Sequence, residues 1–177
     1  MHHKIIFIGG VHGIGKTTLC KSVCTKFNVI HHSASKLITK YSHIKLPSNM
    51  RVENINRNQD ALIQAINKYL DTNKNYLLDG HFCLLDQDGV ITKIPLSTFT
   101  AISPMAIILL HDDPSNIYSR LQDRDREILD IDLLSSFQEQ ELHYSRSVAT
   151  KLNIPYLKAN RITDRETIDK FIADMLE

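Results

Sequence analysis

At 177 residues the chain is long enough to bury one substantial hydrophobic core and short for two. Its 21 Lys and Arg against 20 Asp and Glu leave a formal net charge of +1, which argues against an extended nucleic-acid-binding face and against a polybasic membrane anchor. No apolar run is long enough to span a bilayer. The cysteines, Cys20, Cys24 and Cys83, cannot all pair, and no export signal precedes them, so a reducing, cytoplasmic setting is expected.

Five short apolar runs alternate with stretches of helical spacing, the pattern of a parallel sheet covered on both faces. In chain order, a strand is expected at Lys4 to Gly9 and a helix at Lys16 to Phe27. Cys20 and Cys24 lie four apart on that helix beside Leu19, Val23 and Phe27, which reads as core packing, since no other cysteine or close histidine completes a ligand set. A strand at Asn28 to His32 leads into a polar, basic stretch from Ser33 to Asn56 that contains Pro47 and shows no clear period. Then come a helix at Arg57 to Asp71 and a strand at Asn75 to Asp79. From Cys83 to Ile94, Asp88-Gly89 between apolar flanks predicts a small hairpin. The remainder reads as a strand at Ala106 to His111, helices at Ser115 to Asp125 and Leu133 to Leu152, a strand at Pro155 to Lys158, and a helix at Thr163 to Leu176. Thr163 and Glu166 have the spacing of a capping box at the start of that last helix. One α/β domain over residues 1–177 is expected, its two irregular regions carried as insertions on a rigid scaffold.

The segment Gly10-Val11-His12-Gly13-Ile14-Gly15-Lys16-Thr17 fits G-x-x-x-x-G-K-[ST] and lies between an apolar strand and a helix. Glycines let the backbone approach a ligand with consecutive N–H groups exposed, and those amides form an anion nest at the positive end of a helix dipole. A purine nucleoside triphosphate, Mg-ATP, is the expected occupant. Gly10, Gly13, Ile14 and Gly15 would supply the cradle, Lys16 would bridge β- and γ-phosphates, Thr17 would hold Mg²⁺, and Thr18 would add an α-phosphate contact. His12 either points at the acceptor or is a solvent-facing filler.

Asp79 closes the apolar run Tyr76-Leu77-Leu78, where a buried strand delivers a carboxylate to the edge of the sheet that carries the phosphate loop. It would orient a water on Mg²⁺ or accept a hydrogen bond from the attacking group; the alternative is a cap for the turn at Gly80. Arg120 and Arg124 are four apart, so on a helix both guanidinium groups face one way, suited to charge developing on a transferring phosphoryl group. Ion pairs with Asp123, Asp125 or Glu127 are the alternative, and Arg126 fits that alternative better.

On the phosphate loop, Leu78-Asp79-Gly80 and the spaced arginines, the chain resembles the P-loop nucleoside and nucleotide kinases, the adenylate-kinase-like group. The resemblance implies a three-layer P-loop NTPase fold with a five-stranded parallel sheet. It also implies ATP and Mg²⁺ as cofactors, a short lid at about 120–132 opened by Arg120 and Arg124, and an adenine-contacting loop near Ala159 and Asn160. Arg146 resembles a later arginine that reaches toward the phosphates. Two departures stand out. Where adenylate kinases usually carry Thr-Gly-Asp-Leu-Leu-Arg, this chain has Ala34-Ser35-Lys36-Leu37-Ile38-Thr39, and where they carry Asp-Gly-Phe-Pro followed by an arginine it has Asp79-Gly80-His81-Phe82-Cys83. Both usual anchors of a monophosphate acceptor are absent from those places, with Arg51, Lys40 and Arg57 as substitutes within reach of the insertion.

The expectation is therefore a phosphotransferase moving the ATP γ-phosphate to a small-molecule acceptor that enters between residues 33–56 and the turn Asp79-Gly80-His81, with no extended nucleic-acid surface and no membrane contact. Two alternatives remain open: an ATP-driven switch acting on a protein partner, and a kinase of a polynucleotide end or small metabolite.

Overall fold

A computed structural model of the chain describes residues 3–43, 51–122 and 130–177. Its elements in chain order are β1 (Lys4–Gly9), α1 (Lys16–Cys24), β2 (Ile30–Ser33), α2 (Ala34–Ser42), β3 (Arg51–Val52), α3 (Ile55–Tyr69), β4 (Asn75–Asp79), β5 (Cys83–Asp86), β6 (Ile91–Lys93), α4 (Leu96–Ile102), β7 (Ala106–Leu110), α5 (Pro114–Gln122), α6 (Ile131–Leu152), β8 (Tyr156–Ala159) and α7 (Arg165–Leu176).

Five strands form one parallel sheet in the order β2-β4-β1-β7-β8. Strands buried on both faces need apolar side chains at successive positions, and β1 and β7 supply them as unbroken buried runs. Alternation then sorts those residues between two cores. Ile6, Ile8, Leu77 and Ile108 face a layer that includes Leu19 and Val23 of α1, Leu121 of α5 and Ile168 of α7. Phe7, Leu78, Ile107 and Leu109 face Leu37 of α2, Leu62 of α3, Phe99 of α4 and Val148 of α6. Each fully buried Ile or Leu contributes about 2 kcal/mol of transfer free energy, so both layers hold the sheet rigid beneath its loops.

Cβ alternation also places the chemistry. β1 and β4 are neighbours with Ile8 opposite Asp79, so the loop after Gly9 and the Asp79 carboxylate emerge side by side at the carboxyl edge. The chain turns to opposite sides of the sheet from β1, and such a crevice is where open α/β sheets hold ligands.

Several parts differ from the sequence reading: α1 ends at Cys24 and not at Phe27, and β3, which pairs with β5, was not expected. The stretch from Ser33 begins with helix α2, whose turns bury Leu37 and Ile38 while Lys36 and Lys40 stay outward; residues 44–50 within it lie outside the described residues. Helix α4 follows the hairpin of β5 and β6 and was not expected. Finally, α7 starts after Asp164 with no side-chain cap bond, and the Thr163 hydroxyl lies 3.3 Å from Asp164 Oδ1, so no capping box forms there. Asp164 is instead drawn to the preceding loop, accepting from the Asn160 N–H at 2.8 Å.

Candidate functional site

The loop between β1 and α1 bends through Gly10, Gly13 and Gly15, all at positive φ. Gly15 shows why glycine is required there: it stands at φ 98 as the N-cap of α1, and a Cβ would fall 2.4 Å from Arg161 Nε. No side chain caps α1, so its first amides stay open to an anion at the positive end of the helix dipole. Lys16, nearly buried, turns its ammonium inward and donates to the carbonyls of Gly10 at 2.7 Å and Val11 at 3.1 Å. That places a fixed cation within the curl of the loop.

At the end of β4, Asp79 Oδ2 accepts from the Thr17 hydroxyl at 3.1 Å and meets His31 Nε2 at 2.6 Å. Burial pushes the Asp79 carboxyl up, but the His31 and Thr17 hydrogen bonds and the Lys16 charge outweigh burial and hold it below the usual carboxylate value. A hydroxyl and an ionised carboxylate at this separation are hard oxygen donors of the kind that suit Mg²⁺ or its bound water. Cys20, on α1, also stands in a group with His31 and Asp79 whose ligand atoms lie within 4.8 Å of one another. The sequence reading had placed no histidine near Cys20; pairing of β2 with β4 is what carries His31 there. Burial raises the Cys20 thiol far above its ordinary value, so it stays a protonated, packed side chain beside the site.

Facing the loop is a cavity of about 400 Å³. Its floor is the phosphate loop with Lys16, Thr17 and Asp79, and its walls come from α2, α3, α4 and the turn at Gly80 and His81. Behind that turn, the fully buried Glu141 of α6 accepts from the backbone N–H groups of Phe82 at 2.9 Å and Cys83 at 3.0 Å, fixing the chain after Asp79. His81 Nδ1 lies 3.5 Å from the same carboxylate oxygen, and burial together with Lys16 pushes its imidazole toward the neutral form.

On the opposite flank, Arg120 of α5 reaches the phosphate loop, donating from Nε to the Gly13 carbonyl at 3.3 Å and from Nη2 to Asp112 Oδ2 at 2.7 Å. Asp112 Oδ1 accepts in turn from the Asn160 amide at 3.1 Å.

Residues 9–137, from the phosphate loop into α6, match the family described as AAA domain. The chain belongs to the AAA domain family. An adenylate kinase from Pyrococcus horikoshii is similar to this AAA-domain chain, 27% identical over 135 residues that cover 70% of this chain and 69% of that protein. Two solved structures share its fold. A shikimate kinase from Acinetobacter baumannii in complex with shikimate superimposes with a TM-score of 0.63 at 13% identity, over 98% of this chain and 93% of that one. A gluconokinase from Sinorhizobium meliloti does so with a TM-score of 0.56 at 14% identity, over 98% and 91%. The architecture of this AAA-domain chain is thus that of the P-loop kinases.

Within the AAA-domain chain, Gly13, Gly15, Lys16, Thr17, Thr18 and Asp79 converge on the cavity. Ile14 is buried in the core, so only its backbone can serve a ligand. Asn160 spends its side chain on Asp112 and on the N–H groups of its own turn, while the next residue, Arg161, packs against Gly15. Arg146 is exposed on α6 and does not line the cavity. Arg124, Arg126 and most of the expected lid lie outside the described residues. Arg161, Asp112 and Glu141 were missed in the sequence; each acts through a partner more than 25 residues away or across a loop, and none belongs to a spaced motif.

Proposed function

We propose that this AAA-domain chain is an ATP-dependent phosphotransferase that moves the γ-phosphate to a small-molecule acceptor held in the 400 Å³ cavity. One observation carries the proposal: Lys16, Thr17 and Asp79 form the floor of a pocket whose walls are built by other elements, which leaves room for an acceptor beside the phosphate loop. The names of its relatives, an adenylate kinase, a shikimate kinase and a gluconokinase, support a kinase over a nucleotide switch.

The chain's own groups account for the chemistry. The first amides of α1, which no side chain caps, bind polyphosphate, and Lys16 neutralises charge on the transferring group. Thr17 and Asp79 would hold Mg²⁺ or its water, and the bound ion would add further charge neutralisation. Asp79 and His81 stand where an acceptor hydroxyl would be aligned for in-line attack. Walls from α2, α3 and α4 flank the place a transferring phosphate would take, and a bound acceptor there would displace water from it. Positioning and charge stabilisation supply most of the acceleration in this chemistry, so no covalent intermediate is needed.

Purified protein with Mg-ATP and a panel of hydroxylated and phosphorylated small molecules provides the test. Acceptor-dependent ADP release is the expected result. ADP release that no acceptor raises, but a protein partner does, would replace the phosphotransferase with a switch.

A further inference from the structure

Three side chains from three separate elements converge behind the phosphate loop: Cys20 of α1, His31 of β2 and Asp79 of β4. The Cys20 sulfur, a ring nitrogen of His31 and a carboxylate oxygen of Asp79 all lie within 4.8 Å of one another. Cys20 is fully buried, Asp79 is 5% exposed and His31 is partly buried. The backbone beneath them is fixed. β2 pairs with β4, Ser33 opposite Asp79, and α1 packs Leu19 and Val23 into the core on the same side of the sheet as Cys20.

A thiolate, an imidazole and a carboxylate are the donor types of protein zinc sites, and three such ligands with one position left for water make an open tetrahedral set. Bonds of about 2.0–2.3 Å at tetrahedral angles hold donors about 3.3–3.7 Å apart. His31 Nε2 and Asp79 Oδ2, at 2.6 Å, would part by about 1 Å, and the Cys20 sulfur would close by about as much, shifts that side-chain rotation supplies with the strands in place. Charge argues the same way. In the protein alone, burial first and the Asp79 carboxylate next keep Cys20 protonated, since both oppose a thiolate. A divalent cation between the two groups neutralises both negative charges at once. Mg²⁺ is not the ion for this set, because it takes oxygen ligands in octahedral array, whereas sulfur and imidazole select a softer metal.

We infer that Cys20, His31 and Asp79 form a site for a thiophilic divalent cation of the Zn²⁺ type, and that its occupancy withdraws Asp79 from Mg²⁺. On binding, the Cys20 S–H bond breaks, the proton leaves to water and the sulfur electron pair forms the bond to the metal. The His31 imidazole keeps its proton on Nδ1 and gives the Nε2 pair, and Asp79 gives a carboxylate oxygen; nothing is oxidised or reduced. Asp79 Oδ2 also accepts from the Thr17 hydroxyl at 3.1 Å, so the two metals contend for one carboxylate. That antagonism rests on the phosphotransferase reading above, whereas binding of the thiophilic ion does not.

The test titrates Co²⁺, a coloured stand-in for Zn²⁺, into the chelator-treated protein. One Co²⁺ per chain is expected, with the ultraviolet charge-transfer absorption of a cobalt–thiolate bond, and Zn²⁺ should displace it. Cys20→Ala should abolish that absorption and His31→Ala should weaken binding at least tenfold, while Cys24→Ser and Cys83→Ser leave both unchanged, each variant keeping the circular dichroism spectrum of the parent. No thiolate absorption in the parent, absorption that survives Cys20→Ala, or equal affinity in His31→Ala overturns the site. The antagonism is read by calorimetry with free Zn²⁺ held by a metal buffer. Mg-ATP should bind the zinc-loaded parent at least tenfold more weakly than the zinc-free parent, and Cys20→Ala equally well with and without zinc. Unchanged Mg-ATP affinity in the zinc-loaded parent overturns the antagonism; no Mg-ATP binding by the zinc-free parent overturns it together with the phosphotransferase reading, and the cobalt spectrum still decides the site.

Discussion

Arg120 and Asp112 are joined across the flank of the phosphate loop, Nη2 to Oδ2 at 2.7 Å, and the same guanidinium touches the Gly13 carbonyl. The arginine is thus held in place before any nucleotide arrives, with part of its fork already committed to the protein. If it acts on charge that develops during transfer, Arg120→Ala should lower kcat at least tenfold while changing ATP affinity less, as steady-state kinetics beside calorimetry would reveal. Equal losses in both would make it an ordinary binding group.

The same pair gives a dependence on acidity. Burial pushes the Asp112 carboxyl up, but bonds from Asn116 and Arg120 outweigh it and leave it below its ordinary 3.8. A depressed folded value means that this contribution to stability is whole above pH 3.8 and fades as pH falls through the folded value. Urea denaturation should find Arg120→Ala less stable by about 1 kcal/mol at pH 7, a partly exposed charge pair contributing no more than that. Near pH 3 the gap should narrow. A gap that widens on acidification would contradict the assignment.

Glu141 anchors the turn that follows Asp79. Its Oε1 serves two buried N–H groups, so Glu141→Ala leaves both unpaired and should cost about 2–4 kcal/mol, whereas Glu141→Gln keeps an acceptor and should cost less than half of that. Chemical denaturation of the two variants against the parent decides the matter; similar losses in both would mean that the charge, not the acceptor geometry, is what the turn requires.

Gly15 and Arg161 should be coupled. At Gly15→Ala the new methyl meets two obstacles, the left-handed φ of 98 and the Arg161 side chain, so a loss of about 2 kcal/mol is expected. Adding Arg161→Ala removes the second obstacle alone, and the double variant should recover part of the loss. A strictly additive cycle would show that the two side chains do not compete for this space.

Thiol chemistry offers a check on the core. Cys20 and Cys83 are buried, and burial raises both thiols, Cys83 to about 12. Cys24 is only partly buried. Under native conditions near pH 8 a thiol reagent should therefore modify at most one cysteine promptly, and all of Cys20, Cys24 and Cys83 after denaturation. Rapid labelling of two would mean that Cys20 or Cys83 is not held buried.

The legible parts of this fold were those in which local sequence and tertiary burial agree. β1 and β4 are built around the apolar runs Ile5 to Ile8 and Tyr76 to Leu78, and the phosphate loop announced itself because backbone approach to phosphate restricts several neighbouring positions to glycine. Helix α2 was hidden because only Leu37 and Ile38 are buried along it, too short a stripe to show a period among its polar residues. Helix α4 is seven residues long and rich in Ser and Thr, which read as loop. The acceptor wall was illegible for another reason. Gln59 and Thr98 look like solvated helix residues, and only the approach of α3 to α4 buries them. Likewise, pairing of β2 with β4, strands that are not consecutive in the chain, brings His31 to Asp79, and α1 lays Cys20 beside them.

The central claim, that the loop from Gly9 to Thr18 binds a magnesium-complexed triphosphate through Lys16, is tested most directly by titrating Mg-ATP into the protein and into Lys16→Ala in a calorimeter. The account predicts one magnesium-dependent site in the parent and at least a hundredfold weaker binding in a variant that keeps its circular dichroism spectrum, since a nearly buried cation is lost from the anion cradle. No binding by the folded parent, or equal binding by the variant, would contradict it.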